Sequence, residues 1–380
     1  VKGEVADSPT QQEGREGPVA MISLRILAFS AFMAYAASFM SSTPFHGAVS
    51  STPWQMQQKE VTDTKPKWAG GGLVSELVNA LISYKPLYGL LKVEARKVLI
   101  KTAEEKGVNW TRESDRLLQM REKLEQLKEA TEDKGLVYPD YYRVPFHAYE
   151  EGNLNWQAAA EAESATYAMA LRIWPKEGLE SDVAQQRLRD SYIDAIKEYR
   201  AERQNTEALQ ILEVGCSVGL STKYLADSFP EAKVLGMDLS PHFLAVAQQL
   251  EEERGEKGRI TWMHERFETS GLREASFDLI TVPFVFHEMP QATIRDCLRE
   301  VHRLLKKGGM LCVTEIDPAS PVIQGLPAPI FTMMKSTEPH ADEQYYSLDL
   351  VEAMEAAGLR HVKKVISDPR HSTWLSSKPQ

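Results

Sequence analysis

A short bend in the second half of the chain gathers residues able to hold a nucleoside. Gly215-Cys216-Ser217-Val218-Gly219 lies between an apolar run, Leu209–Val214, and an amphipathic stretch, Leu220–Phe229. Glycines at 215 and 219 let the backbone come close to a ligand and open a helix whose first amides face it. Asp238 ends the next apolar run, where a single carboxylate can accept both hydroxyls of a ribose. Glu213 stands just ahead of the first glycine and sets a second carboxylate near the ligand's ammonium end. Further on, His287 and Glu288 follow the run Phe277–Val285. A histidine there can take a proton or orient a reactant, with Glu288 orienting it in turn. His147 and Tyr149 offer similar chemistry from an earlier aromatic segment. His287-Glu288 is not a zinc motif, because no histidine stands at 291 and Pro290 interrupts any helix, and no metal is expected.

These groups need a scaffold, and the hydrophobic periodicity supplies one. Strand-like runs at Leu209–Val214, Lys233–Met237, Ile260–His264, Phe277–Val285 and Met310–Ile316 alternate with helical stretches at Leu220–Phe229, Pro241–Arg254 and Gln291–Leu305. Such alternation builds a mostly parallel, doubly wound α/β sheet with ligands beyond the carboxyl ends of its strands. Upstream, Leu73–Ile82, Leu87–Lys106, Glu113–Glu132, Trp156–Trp174 and Asp182–Arg203 carry apolar residues at helical spacing. Between them, Tyr138–Trp156 packs six aromatics and His147 into a stretch kept out of regular helix by Pro139, Pro145 and Gly152. It reads either as the wall of an apolar pocket or as a strap on the core. The chain thus divides into a leader at 1–65, a helical N-terminal region or substrate cap at 66–205, and an α/β domain at 206–380.

Glu213-Val-Gly-Cys-Ser-Val-Gly219 resembles the first motif of the class I S-adenosylmethionine (SAM)-dependent methyltransferases. Phe277–Glu288 is similar to their fourth-strand motif, and Leu304-Leu-Lys-Lys-Gly-Gly309 to the turn before their fifth strand. The nearest group is the ubiquinone/menaquinone-type methyltransferases, and within it a plastid branch of plants and algae. That narrower likeness extends through Tyr138–Trp156, Asp238–Ala247 and Met334–Pro339 and covers roughly residues 66–380. It implies a Rossmann-like, seven-stranded sheet ending in an antiparallel pair near His361–Ser367 and Ser372–Ser376, after a helix at Leu348–Ala357. SAM is the implied cofactor. By position, Gly215, Cys216 and Gly219 would line its methionine part through backbone atoms, with Ser217 in place of the family's commoner middle glycine. Glu213 would hold the amino group, Asp238 the ribose and Leu239 the adenine face. Glu265 and Arg266 follow the third strand, where the family usually has an Asp against the adenine amine. Methyl transfer is an in-line displacement that needs a base only for a protonated nucleophile, so His287 is the preferred base. The insert Pro318–Tyr346, with Ile330-Phe-Thr-Met-Met334, Tyr345 and Tyr346, reads as a lid or as packing. The expected partner is a small apolar or aromatic methyl acceptor.

Composition narrows the rest. A formal net charge of −10 argues against a general nucleic-acid binder. The three cysteines, Cys216, Cys297 and Cys312, have no metal-ligand spacing and read as small buried residues. Arg25 precedes an apolar run, Ile26–Met40, with a small-x-small site at Ala34-Tyr35-Ala36, then a stretch rich in Ser, Thr, Pro and Gln to Thr62. That two-part pattern suggests delivery to a plastid, with no membrane span in the mature protein. A secretory signal or an anchor at 26–40 is the alternative. Two other functions compete. One is a catalytically silent SAM-binding partner subunit. The other is a serine hydrolase using Ser217 of a G-x-S-x-G turn with Asp278 and His287, which leaves Glu213 and Asp238 without a task.

Overall fold

The computed structural model describes residues 96–147, 149–204, 210–326, 340 and 345–380. The leader, the expected helix at Leu73–Ile82 and the lid segment Ile330–Met334 lie outside the described residues. Among the described residues a helical segment at 96–104 is followed by α1 (Trp110–Gln119), α2 (Arg121–Thr131), α3 (Trp156–Ile173) and α4 (Ser181–Glu202). The α/β part follows as β1 (Gln210–Val214), α5 (Leu220–Ser228), β2 (Lys233–Asp238), α6 (Pro241–Glu253), β3 (Ile260–His264), β4 (Phe277–Pro283), α7 (Gln291–Leu304), β5 (Leu305–Ile316), α8 (Leu350–Ala356), β6 (Arg360–Ile366) and β7 (His371–Ser377). The seven strands form one sheet in the order β3-β2-β1-β4-β5-β7-β6. The first five run parallel, and β7 pairs antiparallel with both β5 and β6. This is the Rossmann-like methyltransferase architecture expected from the sequence. Its strand order reverses between β1 and β4, the switch point at which such sheets bind ligands.

Local chemistry explains the boundaries. Ser240 caps α6 by accepting the Phe243 N–H, and Pro241 fills the first helical position. Asn155 caps α3 by accepting the Ala158 N–H at 2.8 Å. The helix expected over Glu113–Glu132 is two helices, because Met120 leaves the helical path and its N–H bonds back to Leu117 O.

The core lies on both faces of the sheet. On one, Tyr192, Ile193, Ile196 and Tyr199 of α4 pack against Ile211, Leu279, Met310 and Leu375. Helix α4 therefore belongs to the sheet's own layers: Tyr199 near its end donates to His361 O at the start of β6, while Arg189 acts on Glu213 near the carboxyl end of β1. Helices α2 and α3 pack on α6 and α1 packs on α3, so that Leu117, Leu124 and Trp156 share a cluster with Phe243, Val246 and Leu250. Burying a leucine of this kind contributes about 2 kcal/mol. All three cysteines are buried and unbonded. Among the described residues, no helix is long and apolar enough to cross a membrane.

Candidate active site

The bend after β1 is built on positive φ at three positions: Gly215 (+67°), Ser217 (+50°) and Gly219 (+78°). At Gly215 an added Cβ would lie 2.4 Å from Val285 Cγ2, and at Gly219 the same distance from the Trp262 ring. Both glycines are thus required first by the protein's own packing. Ser217 adopts the left-handed region despite its Cβ. The bend's amides are largely spent internally. Gly215 and Cys216 N–H groups donate to Met237 O at 2.8 and 3.0 Å, and Gly219 N–H to Cys216 O at 2.9 Å. The first bond inside α5 runs from Lys223 N–H to Gly219 O. The Cys216 side chain is buried, so only its backbone faces the bend.

Asp238 meets this bend directly. Its Oδ2 accepts the Ser217 N–H and its Oδ1 the Ser240 N–H, both at 2.8 Å. Burial pushes its carboxyl up to about 6, with those two backbone donors opposing the rise and Glu288 adding to it. Each oxygen keeps a second lone pair, so ribose hydroxyls can join the existing donors.

Glu213 is fully buried, and neither carboxylate oxygen has a well-formed hydrogen bond. Burial raises it to about 7; the Ser221 and Thr222 hydroxyls and the Arg189 guanidinium oppose that rise, and Asp238 reinforces it. A buried carboxyl left in this state fits an ammonium group. Helix α4 adds residues that sequence reasoning missed. Among the described residues, Arg189 Nε, both polar atoms of the fully buried Gln185 and the Tyr192 hydroxyl have no well-formed hydrogen bond. Their signal was present only as polar residues one turn apart on an apolar helix face. Glu213 within electrostatic reach of Arg189, with Gln185 one turn earlier on the same helix, makes a mixed-charge set suited to the zwitterionic end of an amino acid.

On the far side, Leu239 is buried, and its carbonyl lies 3.1 Å from His264 Nε2. His264 Nδ1 accepts the Asp133 N–H at 3.0 Å, which puts the proton on Nε2, and the Tyr138 hydroxyl lies 3.1 Å from that same nitrogen. Burial lowers this histidine, in keeping with a neutral ring. Tyr141 donates to Glu268, and Ser240 Oγ donates to Asn153 O at 2.7 Å. The aromatic segment is therefore strapped over the carboxyl ends of β2 and β3. Glu265 turns back to accept the Arg266 N–H at 2.8 Å, and Arg266 pairs with Glu268 at 2.9 Å.

The acceptor side is organised by a residue the sequence did not single out. His287 Nδ1 lies 2.8 Å from Glu315 Oε2, and Glu315 is fully buried at the carboxyl end of β5. Glu315 also accepts the Phe286 and His287 amides, at 2.6 and 3.3 Å. The group bonded to the ring is thus Glu315, on the adjacent strand, and not the neighbouring Glu288. Glu288 instead faces His147, with 3.4 Å between Oε1 and Nε2. Burial raises Glu288 to about 7, with His287 opposing the rise and Glu315 adding to it. Tyr149 stands apart: its hydroxyl bonds Glu161 beside Arg96, which ties the strap to α3. Val285, two residues before His287, touches Gly215, so the β4 loop lies on the β1 bend. Asp278, the hydrolase reading's acid, lies at the opposite end of β4 and is held by the Gln210 N–H and Lys306.

Comparison with known proteins agrees with this geometry. Residues 211–309 match a family model described as a methyltransferase domain. The chain is 30% identical over 155 residues to an uncharacterized methyltransferase of Synechocystis, covering 41% of this chain and 68% of that protein. It is 32% identical over 120 residues to a ubiquinone/menaquinone biosynthesis C-methyltransferase of Syntrophotalea carbinolica, covering 31% of this chain and 48% of that one. It is 31% identical over 113 residues to a demethylmenaquinone methyltransferase of Thermus thermophilus, covering 29% and 48%. The chain therefore spans about two thirds of the first relative's length and about half of the other two. With its strand order, glycine bend and acid pair, the chain belongs to the class I SAM-dependent methyltransferases.

Proposed function

We propose that this methyltransferase acts on a small acceptor with an apolar or aromatic body, and that His287 removes the acceptor's proton. The observation that carries the site assignment is the Asp238–Ser217 contact, with the unpartnered Glu213 carboxyl at the same bend. SAM fits this chemistry because it is doubly cationic at its sulfonium and ammonium, and the buried Glu213 and Asp238 and the half-buried Glu288 are acids all raised by desolvation. Bound there, SAM supplies an electrophilic methyl and leaves as a neutral thioether.

The chain's own residues do the rest. Asp238 would hold the ribose, Leu239 would pack on the adenine, Glu213 would take the ammonium, and Arg189 with Gln185 would take the carboxylate. Glu265 and Arg266 border the adenine side. Glu315 fixes the Nδ1–H tautomer of His287, which leaves Nε2 as the basic nitrogen to receive the acceptor's proton as the new bond to carbon forms. The tyrosine strap excludes water from the nucleoside side. His147 would act through Glu288, and Tyr149 through the strap's attachment. The leader pattern supports delivery to a plastid; a mature N-terminus between about residues 34 and 50 would fit, and an intact one would contradict it.

Calorimetric titration of the full chain with SAM tests the reading. The wild type should bind one equivalent, and Asp238→Ala should abolish measurable binding; unchanged affinity in that variant would refute the ribose assignment.

A further inference from the structure

Two arginines at the acceptor edge lack the partners that enclosed guanidinium groups usually have. Arg172 lies in the last turn of α3, beside Leu171, Ile173 and Trp174, in a cluster onto which Phe284 packs. Phe284 is the first residue after β4 and stands at φ +59°, with its ring 5.0 Å from that of His371. Arg370 immediately precedes His371 in the β6–β7 turn, and its carbonyl accepts the Asp317 N–H at 2.9 Å, just past the end of β5. In the ladder, Ile316 pairs with His371 and Glu315 with Ser372. Arg370 therefore stands two residues from the register partner of the carboxylate that holds His287.

Among the described residues, neither guanidinium makes a hydrogen bond or an ion pair. The nearby acids are already occupied. Asp368 accepts His371 Nδ1 at 2.7 Å and the Arg370 and His371 amides, and Asp317 is taken by Lys364 and Ser372. Both arginines are half-buried, and neither has its nitrogens sealed from solvent without a partner. They are enclosed but reachable, as ligand-facing groups must be. Burial, and then the like charge of Arg370, lowers Arg172 to about 10, so the pair keeps its charge at neutral pH.

We propose that Arg172 and Arg370 together receive an oxyanion, a carboxylate or a phosphate, carried by the methyl acceptor. A planar guanidinium matches either group in bidentate fashion, and two of them discriminate strongly against a neutral analogue. This deepens the methyltransferase reading and rests on it: the acceptor's body lies against Phe284 and its reacting atom beside His287, with its anion anchored beyond the ends of β4 and β5.

The test uses the full chain with three probes: benzoate, phenyl phosphate and benzamide. Each is titrated by calorimetry in the presence of S-adenosylhomocysteine. An anionic probe should bind roughly tenfold or more tighter than benzamide. Benzoate ahead of phenyl phosphate assigns a carboxylate, and the reverse order a phosphate. The double variant Arg172→Gln with Arg370→Gln should lose the preference while keeping S-adenosylhomocysteine affinity within about twofold. Arg370→Lys should retain part of it. Because Arg370 stands on a turn, Arg370→Gln alone serves if the double variant does not fold, with at least a severalfold loss expected. Equal binding of benzamide and both anions by the wild type, or an undiminished preference in the variants, overturns the proposal. Failure of the wild type to bind S-adenosylhomocysteine would instead remove the methyltransferase reading, since the anion preference is measurable separately with the probes alone.

Discussion

Replacing Glu213 with glutamine should separate the stability of the fold from its affinity for SAM. The Glu213 carboxyl is raised from an ordinary 4.5 to about 7, chiefly by burial. A group raised in this way contributes stability that is fully present below its unfolded value and lost as pH climbs through the folded one. Holding Glu213 ionised costs the folded state about 3 kcal/mol at pH 8 but under about 1 kcal/mol at pH 5. Between those pH values the wild type should therefore lose about 2 kcal/mol more stability than Glu213→Gln. Asp238 and Glu288 titrate in both proteins, so the difference reports position 213 together with its coupling to Asp238. Urea denaturation of the ligand-free full chain at pH 5, 6.5 and 8 measures it. SAM affinity at pH 8 should move the opposite way and fall roughly tenfold or more, because a charge-assisted contact to the ammonium is lost. Parallel stability curves for the two proteins, or unchanged SAM affinity, would refute the reasoning.

Glu315→Gln presents an amide nitrogen to His287 Nδ1 in place of the carboxylate oxygen now 2.8 Å away. The ring should switch to its Nε2–H tautomer, and turnover should fall by roughly two orders of magnitude with SAM affinity unchanged; wild-type turnover with an unmoved pH profile would remove the dyad from the mechanism. Gly219→Ala places a Cβ 2.4 Å from the Trp262 ring at a φ of +78°. A loss of about 2–4 kcal/mol is expected, read as a lower melting temperature, and an unchanged one would contradict the packing account. Tyr149→Phe removes the hydroxyl bonded to Glu161 and should cost about 1 kcal/mol of stability while sparing turnover, which kinetic assay of an active preparation checks.

Much of the scaffold was readable because its signals are local. The boundary between β2 and α6 follows from a capping serine and a proline at the first helical position, and the strands on either side of Gly215–Gly219 from apolar runs of strand length. The glycine bend and Asp238 were legible for the same reason: one tight turn and one strand end, close in sequence. Glu315 was not. It sits 28 residues beyond His287, on an apolar strand, and meets it only because β5 lies beside β4. Glu288 looked like the orienting group from adjacency alone, yet its side chain points to His147. Arg189 and Gln185 were hidden differently. They occupy a helix whose periodicity reports burial without saying what is buried opposite. Arg172 and Arg370 lie 198 residues apart in sequence, and Phe284, which packs near the neighbours of both, has a left-handed backbone that no local pattern announces. Long-range pairing across the sheet's carboxyl edge is thus what spacing and periodicity do not encode.

The crystal structure of the full chain with S-adenosylhomocysteine would test the central geometry most directly. Both ribose hydroxyls should lie about 3 Å from the Asp238 carboxylate, with the amino group at Glu213. A nucleoside seated elsewhere, with Asp238 still bonded only to the Ser217 and Ser240 amides, would contradict it.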